Sequence, residues 1–396
     1  MDFDVCILGG CGRVGLPLAL AFADRGLRVA IHDIDDGAVG KVRSGRMPFH
    51  EAGAEPILAR CLGQNLEVRN DPELLGRAEA VIVVVGTPVD DHLNPKFAGL
   101  NQLFARLEPH LVDGQLVVLR STIYPGTTQR LSEFLQGRGR RLPVSFCPER
   151  IAEGKALVEL RDLPQIVSGT SEEAVERASA LFRHLAGEIV VLSPFEAELA
   201  KLFTNSWRYI QFAAANQFYM MAQQFGADFY RIYDAMRYRY PRTEGFPGAG
   251  FAAGPCLFKD TMQLAAFNNN NFFLGHAAML VNEGLPNFVV GQLRERHDLG
   301  RMVVGLLGMA FKGDSDDPRD SLSYKLKKIL QFEAREVLCA DPHLEDPDLV
   351  GVDELLRRSD VVILATPHKA WRTLEIPEGK VVVDVWNFFG KGGHIP

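Results

Sequence analysis

The stretch Asp4–Gly26, DVCILGGCGRVGLPLALAFADRG, decides the fold. Its apolar opening reads as a buried strand running into glycines, and VGLPLALAFADRG reads as a helix. Between them Gly10, Gly12 and Gly15 stand in G-x-G-x-x-G spacing. The first glycine permits the tight turn, the second lets backbone approach a pyrophosphate, and the third lets helix and strand pack closely. The helix N-terminus then faces the phosphates. Asp33 ends the next strand, VAIHD, where a ribose-binding acid is expected. A carboxylate there accepts the adenosine 2′-hydroxyl and repels a 2′-phosphate, which favours NAD over NADP. Glycines in this spacing also occur as plain packing devices. Strand, helix and acid in register point instead to NAD. Cys11, inside the turn, reads as a small spacer.

Outward from this stretch, RVAIHD, AVIVVVGTP and QLVVLRST repeat the pattern of a buried strand ending in turn or polar residues. With helical segments such as TTQRLSEFLQG between them, they predict a parallel, doubly wound α/β sheet. The spacing is less regular through PERIAEGKALVELRDLPQIVSG. At Pro194, which suits the first turn of a helix, the texture changes. A long helical stretch runs from there almost to Gly226, with apolar surface for burial against other domains or another subunit. A further helical region, KDTMQLAAFNNNNFFLGHAAMLVNEG, is interrupted by its asparagine run. A second α/β part opens at RMVVGLLGMAFKG and continues through EVLCADP, DVVILATPHKAW and GKVVVDVWNFF. VVVGTP and VILATP close corresponding strands of the two parts. The expected architecture is therefore two Rossmann-like doubly wound parallel-sheet domains, 1–193 and 299–396. A long central helix joins them within a helical domain at 194–298.

The chain has 396 residues, enough for two or three domains with substantial cores. A net charge of −7 with no long basic run argues against a nucleic-acid partner. Cys6, Cys11, Cys61, Cys147, Cys256 and Cys339 are scattered without C-x-x-C spacing. No metal site and no disulfide framework are expected, and free thiols fit a reducing cytoplasm. The first strand begins at once, so no signal peptide is expected, and the apolar stretches are too short or interrupted to span a membrane.

Two features carry chemistry. Lys201 and Asn205, in AELAKLFTN, are four apart and share one side of the helix. They read either as a solvated polar face or, given apolar Ala200, Leu202 and Phe203 around them, as a pair facing a cleft. In a cleft, an ammonium and an amide stabilise an oxyanion. Cys256 follows a run of small residues in GFAAGPCLFKD. It reads either as an inert cysteine in a tight turn or as a nucleophile approached over glycines and alanines.

The glycine turn, STIYPGTT (121–128), CPERIAEG (147–154), AKLFTN (200–205), CLFKDT (256–261) and GMAFKGDSDDPRDS (308–321) occur in a family order. Through them the chain resembles, over essentially its whole length, the nucleotide-sugar 6-dehydrogenases of the UDP-glucose/GDP-mannose dehydrogenase family. It looks most like that family's UDP-glucose branch. The resemblance implies oxidation of a sugar C6 hydroxyl to a carboxylate with two NAD⁺ and one water. Cys256 resembles the thiolate that traps the C6 aldehyde as a thiohemiacetal and then carries the thioester. Lys201 and Asn205 resemble the groups that steady charge on the C6 oxygen, and Asp260 the acid that orders the hydrolytic water. Thr122 would stand near that water and the nicotinamide, and Glu149 would assist thioester hydrolysis. By the same resemblance, Arg13, Val14, Thr87, Pro88, Glu153, Lys259 and Arg319 join the glycines and Asp33 around NAD. Arg150, Gly248, Gly250, Phe251, Gly254, Phe311 and Lys312 join Glu149, Lys201 and Asn205 around the sugar nucleotide. Arg242 is similar to an arginine that reaches a neighbouring subunit's sugar site, and a homodimer is implied.

The chain departs from the family pattern at Ala253, Pro255 and Phe258, beside the sugar pocket. UDP-glucose is the expected substrate, with TDP-glucose and guanosine donors left open. Two other readings remain. A two-electron 3-hydroxyacid dehydrogenase would share the K-x-x-x-N helix but leave Cys256 and the second α/β part unexplained. A regulator that binds NAD and sugar nucleotide without catalysis would not need the nucleophile.

Overall fold

The computed structural model describes residues 1–86 and 97–396, with only the helical backbone described at 97–101. Among these residues the chain forms two compact units, Met1–Phe203 and Thr204–Pro396.

The first unit is built on β1 (Phe3–Leu8), β2 (Val29–His32), β3 (Leu66–Arg69), β4 (Ala78–Val83), β5 (Leu116–Leu119), β6 (Val144–Phe146), β7 (Gln165–Gly169) and β8 (Ile189–Val191). They lie in the order β3-β2-β1-β4-β5-β6-β7-β8. Every pairing is parallel except β6 with β7. The sidedness of β1 explains why both faces are covered. Val5 and Ile7 join one core with Leu16, Leu20 and Phe22 of the helix Gly15–Asp24. Cys6 and Leu8 join another with Val81, Val83, Val117 and Leu119. Alternate side chains of one strand thus bury on opposite faces, as a doubly wound sheet requires. Each fully buried Leu or Ile contributes roughly 1.5–3 kcal/mol.

The central helix, Pro194–Gln224, starts in the first unit and continues in the second. Its 31 residues extend about 46 Å at 1.5 Å each. The second unit adds the helices Leu257–Phe267 and Phe273–Arg296. The latter runs through Gly284 and Pro286, well beyond the asparagine-interrupted region read from the sequence. A proline inside a helix costs about 3 kcal/mol. Burial of Leu285, Val289, Val290 and Leu293 around Pro286 offsets that cost, so tertiary packing overrides the local breakers. The helix packs against Leu322–Glu333 and shares a core with a parallel four-stranded sheet in the order β10-β9-β11-β12. These strands are β9 (Val303–Leu307), β10 (Glu336–Ala340), β11 (Val361–Leu364) and β12 (Val381–Val383).

The two sheets repeat one motif, since β10-β9-β11 has the order of β2-β1-β4. Gly9 follows β1 at φ +76° and Gly308 follows β9 at φ +94°, a left-handed turn at the same point in each. An acid follows the neighbouring strand in each: Asp33 after β2, Asp341 after β10. The Asp341 carboxylate accepts from the Met309 and Ala310 amides at 2.6 and 3.0 Å and lies 3.1 Å from His368 Nε2. Burial alone would raise its pKa. The hydrogen bond from His368, with the His343 and Met309 amides, outweighs burial and holds it at about 2.

A depressed carboxyl stabilises the fold above its unfolded pKa, near 3.9, and loses that contribution as pH falls through the folded value. Asp341 should therefore contribute about 2 kcal/mol at neutral pH, lost between about pH 4 and pH 2. Thermal melts of Asp341→Asn and wild type should differ at pH 6 and converge toward pH 2; a gap that persists at pH 2 would exclude this linkage.

Candidate active site

In the first unit the turn Gly9–Gly15 forms a cradle at the carboxyl ends of β1 and β2. A Cβ on Gly10 would stand 2.8 Å from Ile31 Cγ2, and one on Gly15 would stand 2.6 Å from Gly10 Cα. The fold itself needs those two glycines. Gly12 is different, because its nearest neighbour to a Cβ is the Gly9 carbonyl oxygen at 3.8 Å. The fold leaves room there for a side chain, so packing does not account for this glycine. Val14 caps the helix Gly15–Asp24 without a side-chain hydrogen bond. The first amides of that helix thus meet no capping side chain, which suits an anion. Asp33 Oδ2 accepts from Cys11 N at 2.8 Å and Oδ1 from Asp35 N at 3.0 Å, fixing the acid at the mouth of the turn. This arrangement fits a dinucleotide with a free 2′-hydroxyl. Arg13 lies over the Phe49 ring at 5.1 Å, with Nη1 4.0 Å from Glu153 Oε2. The structure therefore joins two expected cofactor contacts, Arg13 and Glu153. Thr87 and Pro88 lie outside the described residues.

Half-buried Thr122 sits after β5 in STIYPGTT. Glu198, from the first turns of the central helix, clamps that segment. It accepts from Gly126 N at 2.5 Å, Thr128 N at 2.8 Å and Thr128 Oγ1 at 2.6 Å. Lys201, one turn further on, is half-buried. Glu149 is held by Arg120, which sequence reasoning missed. Arg120 is fully buried at the end of β5, and its Nε and Nη2 donate to Glu149 Oε2 at 3.0 and 2.7 Å. Nη1 donates to the Cys147 carbonyl and Nη2 also to Gln165 Oε1, both at 3.0 Å. Glu149 Oε1 accepts the Arg150 and Ile151 amides at 2.7 and 3.0 Å. A charged residue closing the apolar strand LVVLR, just before STIYPGTT, was the available signal. The Arg150 guanidinium donates to the Pro164 carbonyl.

In the second unit Asn205 and Asp260 come together. Asn205 Nδ2 donates to Asp260 Oδ2 at 2.6 Å, and Lys259 Nζ lies 3.5 Å from Asp260 Oδ1. Asp260 is wholly buried, on the first turn of the helix Leu257–Phe267. Cys256 is the N-cap of that helix, and its carbonyl accepts from Asp260 N at 2.9 Å. Cys256 is exposed, while the other five cysteines are buried. Burial pushes the thiols of Cys6, Cys11 and Cys147 up to about 12, so they stay protonated at neutral pH. Cys256 differs from them in its exposure, and it stands at a helix N-terminus, where a thiolate is best accommodated.

The segment ahead of Cys256 packs against the second sheet's loops. A Cβ on Gly250 would stand 2.1 Å from Trp386 Cζ3, and one on Gly254, at φ +109°, would stand 2.6 Å from the Phe311 ring. Gly254 N donates to the Asp320 carbonyl at 3.3 Å, and Phe251 meets Trp386 edge-on at 6.4 Å. Gly250, Phe251, Gly254 and Phe311 are therefore one cluster, with Trp386 as the member the sequence did not reveal. Gly248 lies nearest the Tyr230 ring, and Lys312 Nζ is 5.6 Å from the Phe311 centroid. Arg319 is tied by Nε and Nη2 to Asp317 at 2.6–3.0 Å. Arg242 Nη1 donates to Tyr240 Oη at 3.3 Å on an exposed turn. Asp314, His343 and His368 also converge, with ligand atoms within 4.8 Å. Yet His368 Nδ1 accepts from Asp314 N at 3.0 Å and Nε2 pairs with Asp341, so neither ring nitrogen has a lone pair for a metal.

Comparison with known proteins matches all three domains of one family to this chain. Residues 3–186 match the NAD binding domain of the UDP-glucose/GDP-mannose dehydrogenase family, 195–283 its central domain and 305–391 its UDP binding domain. The UDP-N-acetyl-D-mannosamine dehydrogenase of Pyrococcus horikoshii is 30% identical over 92% of this chain and 90% of its own length. The chain belongs to this family. The NDP-N-acetyl-D-galactosaminuronic acid dehydrogenase of Ralstonia nicotianae is 28% identical, with 97% of this chain and 96% of the relative covered. Among solved structures, the P. horikoshii UDP-D-ManNAc dehydrogenase superposes with a TM-score of 0.89 at 27% identity, covering 98% of this chain and 96% of that one. A UDP-glucose dehydrogenase from Pyrobaculum islandicum gives 0.86 at 28%, covering 97% and 94%. As a UDP-glucose/GDP-mannose dehydrogenase family member, the chain is an NAD-dependent oxidoreductase of the nucleotide-sugar dehydrogenase type, with a UDP-binding domain. No helix among the described residues is long and apolar enough to cross a membrane.

Proposed function

We propose that this chain oxidises the C6 hydroxyl of a UDP-hexose to the carboxylate in two NAD-dependent steps, without releasing the aldehyde between them. The observation that carries this reading is Cys256 at the N-cap of Leu257–Phe267, exposed, with buried Asp260 one turn inside and bonded to Asn205. When bound, NAD⁺ accepts a hydride at each of the two oxidations. Lys201 and the second N–H of Asn205 steady the developing charge on the C6 oxygen. The Cys256 thiolate adds to the C6 aldehyde, forming a C–S bond and a thiohemiacetal. The second oxidation leaves a thioester. Asp260 and Thr122 order the water that attacks it, the C–S bond breaks, and Cys256 recovers its thiolate. Glu149 assists that hydrolysis from the position Arg120 gives it. Net, one alcohol, two NAD⁺ and one water yield one carboxylate, two NADH and three protons.

For NAD contacts we retain Gly10, Gly12, Arg13, Val14, Gly15, Asp33, Thr87, Pro88, Thr122, Glu153, Lys259 and Arg319. For the sugar nucleotide we retain the Gly250–Phe311 cluster with Arg150, Gly248, Lys312 and Arg242. The functional divisions are 1–193 for NAD, 194–298 for the central helical part and 299–396 for the nucleotide. Because the P. horikoshii and R. nicotianae relatives above act on N-acetylated sugars, a 2-acetamido UDP-hexose is the preferred substrate, ahead of the UDP-glucose expected from the sequence. A two-electron 3-hydroxyacid reading would leave the UDP-binding domain idle.

A donor panel tests this, with UDP-N-acetyl-D-mannosamine, UDP-N-acetyl-D-galactosamine, UDP-glucose, TDP-glucose and GDP-mannose, each with NAD⁺ or NADP⁺. Turnover with a UDP donor and NAD⁺ is expected. NAD binding without turnover on any donor would favour the non-catalytic reading. The proposed unit is a homodimer joined through the central helix, where Trp207, Phe218 and Met221 are exposed. Light scattering should give twice the 43.8 kDa chain mass, and a monomer mass would contradict the dimer.

A further inference from the structure

The segment carrying Cys256 has an anchor built from residues with no expected part in the reaction. Asn216, on the central helix, and Asn282, on Phe273–Arg296, are both wholly buried. The Asn216 side chain holds Gly250 at both ends. Gly250 N donates to Asn216 Oδ1 at 2.8 Å, and Asn216 Nδ2 donates to the Gly250 carbonyl at 3.0 Å. The other Nδ2 proton goes to Asn282 Oδ1 at 2.9 Å, and Asn282 Nδ2 donates to the Tyr209 carbonyl at 3.0 Å. Each amide has its donors and acceptor assigned by the next, so neither can flip without breaking bonds.

This hold has a counterpart on the same helix. Asn205 and Asn216 are eleven positions apart, about three turns, so they share one face. Asn205 holds Asp260 at 2.6 Å and Asn216 holds Gly250. Cys256 lies in the chain between these two tethers. Trp386 closes over Gly250 so tightly that only glycine fits. A buried amide is costly unless paired, and an apolar residue would fill the helix face more simply. Here the Asn216 amide is given to one loop glycine, and the Asn282 amide to orienting Asn216.

We infer that Asn216, oriented by Asn282, is a positioning residue for the Cys256 thiol: its two-ended hold on Gly250, with Asn205's hold on Asp260, sets where the thiol stands when the C6 aldehyde forms. This rests on Cys256 being the nucleophile proposed above. A displaced thiol would capture the aldehyde late, and part of the aldehyde would leave.

The test is NADH formed per limiting UDP-sugar, using UDP-N-acetyl-D-mannosamine or UDP-glucose, whichever turns over. That ratio does not depend on how much enzyme is folded, so a purely structural loss would not move it. Wild type should give two NADH per sugar. Asn216→Ala should fall toward one, with free aldehyde trapped by semicarbazide, kcat down by about tenfold and NAD affinity unchanged. Asn282→Ala, which leaves the Gly250 bonds able to form, should fall in the same direction but less. If Asn216→Ala cannot be purified, Asn282→Ala decides. Two NADH per sugar from Asn216→Ala, or from Asn282→Ala when it stands alone, would overturn the positioning role and leave the nucleophile standing. Two NADH per sugar from Cys256→Ser would overturn the nucleophile and this inference with it.

Discussion

Cys256→Ser should lower uronate formation on the order of 10³-fold or more while NAD and UDP-sugar binding change little. A serine hydroxyl at the same N-cap is far less ionised than a thiol, so it does not capture an aldehyde at neutral pH as a thiolate does. No other thiol can stand in. The remaining cysteines are buried, and Cys6, Cys11 and Cys147 are held up to about 12 by loss of water. Loss of acid formation with intact binding separates a chemical role from a structural one. Calorimetry with the UDP-sugar measures the binding half. If the Ser variant instead loses sugar-nucleotide affinity in proportion to activity, Cys256 is a packing residue and the thioester route falls.

Arg120→Met should be among the most damaging changes to stability. Arg120 donates four hydrogen bonds from full burial, two of them to Glu149, and lies 4.7 Å over the Phe182 ring. Removing one partner of a buried pair leaves an uncompensated charge and costs roughly 3–5 kcal/mol. For a unit of this size that lowers the melting temperature by about 10 °C. The orphaned carboxylate accounts for much of the loss, so adding Glu149→Gln to Arg120→Met should recover part of it. A melting temperature within about 2 °C of wild type for Arg120→Met would show that water replaces the guanidinium at little cost.

Much of this was legible in the chain because the decisive signals are local. Gly10, Gly12, Gly15 and Asp33 sit at fixed offsets within one strand-turn-helix-strand unit, and the structure uses them as that unit demands. The repeated sheet order likewise follows from two similar runs of strands. The pairing of Asn205 with Asp260 was not legible in that way, since it joins helices 55 positions apart. Arg120, Asn216 and Trp386 were missed for the same reason. A lone arginine, asparagine or tryptophan carries no periodic signal, and its role exists only once Glu149 or Gly250 is brought beside it. The antiparallel pairing of β6 with β7 left no mark in the apolar pattern, which records burial and not strand direction. The helix through Pro286 shows the opposite failure, in which a clear local breaker is overruled by four buried neighbours.

The central claim is that one thiol carries the sugar through both oxidations. Its most direct test is the NADH absorbance reached when wild-type enzyme exhausts a limiting UDP-sugar in excess NAD⁺. A covalent thioester route predicts two NADH for every sugar consumed, with no aldehyde trapped along the way. One NADH per sugar, with free aldehyde in solution, would contradict it.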